Sequence, residues 1–400
     1  MIGTTLNSFN SMFFMIIITR INGTEDAGLY TLVFSIVCLL YNIGIYAGRT
    51  FQVTDQTNRY NDTEYVIHRM MTVSLMFVVA AGYCAIKRFD PFRFALTMLL
   101  TVMKCLEAGT DVLYGLMQKN DELYKSGISL TIKSIGSLLV VLVINLLFQN
   151  LLLSFIFVDV ICFIVTILYD IPSTKQFLSK DYSIKKSLNL FREGFYAFAY
   201  FFLNVYLSNA SKYALDGKAS SSQQAMFGIV LMPATLINLC AIYLLQPYIN
   251  RLGLLYSENR IVDFKQSVKK IILYILIFGI VCLTGATLIG VPVLNIVYNV
   301  DLSGYLSSLQ LIIVGATLIA IVTVLSTALT TFRNTKTQFG IYVIVSLAIL
   351  VVSGTLVDQF GVLGATYTYL LSTILQFILY VLAYTKEMKQ WNITCEKEML

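Results

Sequence analysis

The apolar residues of this chain fall into long blocks, separated by short interruptions that carry Lys, Arg, Asp, Pro or Asn. A helix needs roughly 20 apolar residues to cross a hydrocarbon core about 30 Å thick, so each block of that length predicts a membrane-spanning helix. Cutting the chain where such blocks end gives twelve stretches, at about residues 2–19, 29–48, 70–86, 94–117, 127–147, 150–169, 195–211, 223–247, 271–296, 305–332, 337–357 and 361–384. The expected fold is an all-α integral membrane protein of about twelve transmembrane helices.

The cations fit the same cutting. Twenty of the 28 Lys and Arg residues fall in one alternating set of connections, and six in the opposite set (Arg20, Lys87, Arg88, Arg93, Lys212 and Lys218). Lys104 and Lys133 stay inside stretches. Basic connections resist export, so the richer set is expected to be cytoplasmic, and both termini with it. One missed helix would scramble the two sets beyond that point, yet they stay apart to the end, most weakly around Lys87. The predicted organisation is an amino-terminal six-helix lobe over 1–169, a cytoplasmic basic linker over 170–194, a carboxy-terminal six-helix lobe over 195–384 and a cytoplasmic tail over 385–400. The linker, with Lys175, Lys180, Lys185 and Lys186, is expected to rest on anionic headgroups. The first stretch begins at Ile2 with no basic segment before it and is too long and too polar at its start for a cleaved signal, so either the chain starts inside a helix or Met1 lies downstream of the true start, the second being the expectation here.

Composition agrees: 57% of residues are hydrophobic and 12% charged, where soluble domains carry about 25% charged residues. The net charge of +6 lies in connections rather than in a stripe, which argues against a nucleic-acid partner. The seven cysteines lack the short spacings of zinc or redox motifs and read as small apolar fillers within helices. His68, the single histidine, sits beside Arg69 in what reads as a solvated polar loop, which leaves metal and histidine-base catalysis without residues to perform them.

Ionisable groups inside spans are costly and so point to function. Lys104, Glu107 and Asp111 are spaced i, i+3 and i+7 on the fourth stretch, which stacks them on one helical face. Lys133 on the fifth stretch lies at the depth of Asp111, which offers it a partner. Asp159 on the sixth completes the set. These charges either neutralise one another to hold the bundle together or line a polar cavity whose cations meet an anionic substrate. Arg20, Arg49 and Lys212 sit at helix ends, where cations commonly snorkel to the interface. Arg49 follows a span with no other charge, and its planar fork suits phosphate oxygens. Pro233 falls inside the eighth stretch and is expected to kink it. A faint likeness between the halves, Asn10 to Arg20 and Gly23 against Asn204 to Lys212 and Gly217, hints at the internal repeat of rocking transporters.

Several motifs resemble one family. Thr19-Arg20-Ile21-Asn22-Gly23 followed by Ala27-Gly28-Leu29-Tyr30, then Gly48-Arg49, resembles the first hairpin of the Wzx-type polysaccharide transporters. These are lipid-linked oligosaccharide flippases of the multidrug/oligosaccharidyl-lipid/polysaccharide (MOP) superfamily. Asp111-Val112-Leu113-Tyr114-Gly115-Leu116-Met117-Gln118 resembles the end of that family's fourth span, and Asn209-Ala210-Ser211-Lys212-Tyr213-Ala214-Leu215-Asp216 the end of its seventh. Pro233 and Gln246-Pro247 fit the helix that follows. The resemblance runs the length of the chain on loose motifs, with Ser211 where a proline-bearing version of the seventh-span motif has Pro.

What the resemblance implies is a MATE-like, V-shaped pair of six-helix lobes in a bacterial cytoplasmic membrane, with no enzymatic chemistry. The substrate would be an undecaprenyl-diphosphate-linked oligosaccharide, moved from the cytoplasmic to the outer leaflet for capsule, exopolysaccharide or O-antigen (lipopolysaccharide) synthesis. Other polysaccharide-assembly membrane proteins would be its partners. Arg49, Lys104 and Lys133 are then expected to meet the diphosphate from the cytoplasmic side, and Arg20 and Lys212 near the outer side. Glu107, Asp111 and Asp159 are candidates for H+ or Na+ coupling, because a carboxylate among apolar helices can exchange a cation across a conformational change. No other cofactor and no metal is expected. A drug or cation exporter of the same superfamily would share the lobes but favour an acidic, aromatic cavity. A polysaccharide polymerase or acyltransferase would need a large arginine-rich external loop or an intramembrane histidine, and the sequence offers neither.

Overall fold

The computed structural model describes residues 2–46, 48–55 and 59–398, the side chains of Ile2, Thr50 and residues 394–398 excepted. The expected start site at Met1 and the side chains of Cys395 and Lys397 lie outside the described residues. Within them the chain is helical, with no strand. We number the helices α1 (Ile2–Ile21), α2 (Thr24–Ile45), α3 (Gly48–Thr54), α4 (Asp62–Ile86), α5 (Pro91–Lys119), α6 (Leu123–Phe148) and α7 (Leu151–Phe177). They continue as α8 (Ile184–Ala214), α9 (Ser221–Ser257), α10 (Ile261–Tyr298), α11 (Leu306–Thr331), α12 (Thr335–Phe360) and α13 (Val362–Glu398). Each of the twelve stretches falls largely on one helix, and α3 is a short extra turn between the second and third.

Nine of these helices among the described residues are long and apolar enough to cross a membrane, which makes this a multi-pass membrane protein. The four outside that set are α1, α5, α8 and the seven-residue α3. Helix starts follow local chemistry. Asn61 and Glu64 form a reciprocal capping box at α4, Asp90 accepts from the backbone N–H of Phe92 and Arg93 ahead of Pro91 at α5, and Asn150 caps α7. Inside the helices, hydroxyls satisfy themselves within one turn: Thr101 donates to the Thr97 carbonyl at 2.7 Å and Thr317 to that of Ile313 at 2.9 Å. Both α7 and α10 contain a π turn, at Thr166–Asp170 and Ala286–Gly290, and each turn is followed closely by a proline, Pro172 or Pro292. The wider turn absorbs the backbone group that proline cannot pair. Pro233 and Pro247 both lie within α9, which runs on through them.

The chain forms two compact units, one of Met1–Val205 with Ser220–Ala225, the other of Tyr206–Ala219 with Met226–Leu400. In the first, α5 is the hub: α2, α3, α4, α6 and α7 all pack against it, enclosing a helix that carries Lys104, Glu107 and Asp111. In the second, α13 packs along α11 and α12, and α11 along α10. There Trp391 is buried beside Tyr256, Phe264 and Phe332 and donates to Asn259 Oδ1 at 3.3 Å, so the last helix is anchored well past residue 385.

Of the connection expected over 170–194, residues 178–183 lie outside helices, and they are strapped to the start of α4. Thr63 donates to the Ser179 carbonyl and accepts from the Ser179 N–H, and Asn61 donates to the Asp181 carbonyl. Glu64, 1% exposed, accepts from the backbone N–H of Asn61 at 3.1 Å and of Ser183 at 3.0 Å, so one carboxylate caps the starts of both α4 and α8. Glu64→Ala removes both caps and is expected to cost about 2 kcal/mol or more. A lowered unfolding temperature in detergent, with faster proteolysis confined to residues 178–183, is the outcome to look for.

Candidate functional site

Hub helix α5 builds two polar clusters, both within the amino-terminal unit. The first surrounds a cavity of about 310 Å³ lined by α1 (Asn7, Ser8, Asn10, Ser11), α5 (Lys104, Glu107, Thr110, Tyr114), α6 (Lys133, Ser137) and α7 (Cys162), with Phe14 and Phe34 as apolar wall. Lys104 Nζ lies 2.6 Å from Glu107 Oε2, one helical turn along, and over the rings of Tyr41 and Phe34 at 5.0 and 5.4 Å. Lys133 Nζ lies 2.6 Å from Asp170 Oδ2 and 3.3 Å from the Tyr114 hydroxyl, which in turn shares a 2.9 Å hydrogen bond with Ser129. Asp170, at the end of the π turn of α7, is fully buried.

The second cluster holds α4 against α2 and α5. Arg69, 4% exposed, donates to the Gly44 carbonyl at 3.2 Å and to Asp111 Oδ2 at 3.3 Å, and Arg49 Nε lies 4.0 Å from Asp111 Oδ1. Thr72 donates to the same Gly44 carbonyl at 2.7 Å. Beside them His68 packs edge-on against Tyr46 and Phe191, while Tyr46 stacks on Phe198 and donates its hydroxyl to the Phe191 carbonyl. Gln52, 1% exposed, donates to the Val112 carbonyl and lies against Gly115, where a Cβ would collide with its Oε1. That close approach explains glycine in the Asp111-to-Gln118 motif.

Two readings from the sequence change. Lys133 pairs with Asp170 rather than Asp111, because Asp170 is held inside a helix that continues to Phe177 instead of ending near 169. Asp111, two turns from Lys104, meets the arginines of α3 and α4. His68 is 7% exposed and within α4, not in a solvated loop, because the capping box starts that helix at Asp62. The Asn-x-x-Glu signal for that start was present in the sequence; with it, Arg69 would have been placed inside a helix. Asp170 had no such signal.

The other candidate residues are dispersed. Arg20 is exposed in the last turn of α1, and Lys212 is partly buried near the end of α8. Asp159, on α7, is 9% exposed and neither of its oxygens has a hydrogen-bond partner. The six cysteines with described side chains are free and lie in helices, and no cluster among the described residues could hold a metal ion.

Asp111→Ala strands the buried Arg69 and is expected to cost about 3–5 kcal/mol. Arg69→Met with Asp111→Leu should recover most of that loss, read as a double-mutant cycle on unfolding temperature in detergent.

No family model matches the chain. A curated relative, the capsular polysaccharide biosynthesis protein CapF of Staphylococcus aureus, is 23% identical over 314 residues, covering 74% of this chain and 75% of that one. Among solved structures, an inward-facing multidrug resistance MATE family transporter of the MOP superfamily superposes with a TM-score of 0.76 at 11% identity, over 97% of this chain and 96% of its own. The lipid II flippase MurJ, in an inward closed conformation, superposes with a TM-score of 0.72 at 12% identity, over 98% and 89%. The MATE transporter VcmN of Vibrio cholerae, in its bent form, gives 0.60 at 13%, over 98% and 95%. The resemblance read from the sequence therefore holds at the level of fold, and the chain has the fold of the MOP superfamily of transporters and flippases.

Proposed function

We propose that this protein is a flippase that moves an undecaprenyl-diphosphate-linked oligosaccharide from the cytoplasmic to the outer leaflet of a bacterial cytoplasmic membrane, for capsule, exopolysaccharide or O-antigen assembly. The observation that carries the proposal is the meeting of Lys104 and Lys133, from two different helices, on one cavity within the bundle. A lipid diphosphate needs such a place, because its charge must cross while its tail stays in hydrocarbon. The neutral wall of Asn7, Ser8, Asn10 and Ser11 offers donors and acceptors to sugar hydroxyls. The fold shared with a lipid II flippase and the similarity to a capsule biosynthesis protein support the same substrate class.

Within this reading Lys104 and Lys133 take the diphosphate. Arg49, a third exposed and beside Asp111, stands next in line. Arg20 and Lys212 are assigned to later contacts near the outer side. Asp159, whose carboxylate is buried without a partner, is the leading candidate for H+ or Na+ coupling, ahead of Glu107 and Asp111, which are paired.

The test is a leaflet-protection assay on purified protein in liposomes carrying a fluorescent undecaprenyl-diphosphate oligosaccharide, with an impermeant reductant outside. Quenching beyond the half in the exposed leaflet is expected for the wild type. Lys104→Ala and Lys133→Ala should each slow it about tenfold or more at normal protein levels, in line with loss of a charge-assisted contact. Quenching that stops at half for the wild type would overturn the assignment.

A further inference from the structure

Both cavity cations carry an internal anion. Lys104 has Glu107 and Lys133 has Asp170, each at 2.6 Å, so the two pairs balance to zero charge. Cross-linking of helices does not explain both. Lys133–Asp170 joins α6 to α7, but Lys104–Glu107 lies within one helix at i, i+3 and ties nothing together. Asp170 is also poorly served where it sits: it is fully buried, and its Oδ1 has no hydrogen-bond partner.

Resting on the flippase reading, we propose that Glu107 and Asp170 are surrogate anions, which neutralise Lys104 and Lys133 while no diphosphate occupies the cavity and compete with it for them. A carrier that alternates must return unloaded, and unmatched cations inside the bilayer would make that step costly. With the carboxylates in place, the lysines of the empty cavity are neutralised. An arriving diphosphate competes with them, so affinity is given up in exchange for a permissible return step. Asp170 is thus a positioning residue that the sequence did not single out, and it acts through Lys133.

The lysine and carboxylate variants should move binding in opposite directions. In detergent-purified protein, with geranylgeranyl diphosphate as the probe, Asp170→Asn and Glu107→Gln are expected to bind about tenfold more tightly than wild type, and Lys133→Met and Lys104→Met about tenfold more weakly. In liposomes, Asp170→Asn and Glu107→Gln should keep one-for-one exchange of lipid between leaflets but lose net flipping, which requires the empty return. Weaker binding in the carboxylate variants, at unchanged unfolding temperature, would overturn the proposal and leave the pairs as architecture. If Asp170→Asn does not fold, Glu107→Gln carries the test alone, since its pair holds no helices together. Failure of the wild type to bind the probe would instead overturn the flippase reading on which the proposal rests.

Discussion

A charge buried among apolar helices must be matched within the protein, because lipid offers it nothing. That constraint organises the amino-terminal unit. Helix α5 carries Lys104, Glu107 and Asp111, and it is enclosed by α2, α3, α4, α6 and α7, of which α2, α3 and α4 supply partners to those charges. Asp111 recruits Arg69 from α4 and Arg49 from α3, Lys104 finds Glu107 on its own helix and aromatic faces on α2, and the parallel pair Lys133–Asp170 joins α6 to α7.

The two clusters divide the labour. The Arg69–Asp111 cluster is closed, packed by His68, Tyr46 and Phe191, and leaves almost no room around Arg69. It fixes where α4 lies against α5. The Lys104–Lys133 cluster is open: Lys104, Glu107 and Lys133 line a cavity large enough for polar groups of a ligand, with Asp170 buried behind Lys133. The same residue chemistry is therefore structural at one level of α5 and available for binding two turns away. What separates them is whether small or aromatic neighbours fill the space.

The second unit follows another logic. Its helices α11, α12 and α13 carry no charge between Lys336 and Asp358 or between Val362 and Thr385, and pack through apolar side chains and hydroxyls that satisfy themselves, with Trp391 and its aromatic neighbours closing one end. The buried ion pairs Arg69–Asp111, Lys104–Glu107 and Lys133–Asp170 lie in the first half, and the proposed placement of a substrate headgroup there rests on them.

Length and hydropathy determined the helices, since a block of twenty apolar residues has few alternatives in lipid, and each of the twelve stretches lies largely on a helix. Residue type and spacing also placed Lys104 and Glu107 on one face of α5, because helical periodicity is local. Partnership was decided by tertiary structure. Asp111 and Lys133 share a depth, yet depth says nothing of azimuth, and only the packing of α4, α6 and α7 around α5 sends one to Arg69 and the other to Asp170. Asp170 and Arg69 were hidden for a related reason. Each sits near the edge of an apolar block, where the sequence reads as loop, while capping at Asn61 and the π turn before Pro172 carry the helices past those edges and the charges into the protein.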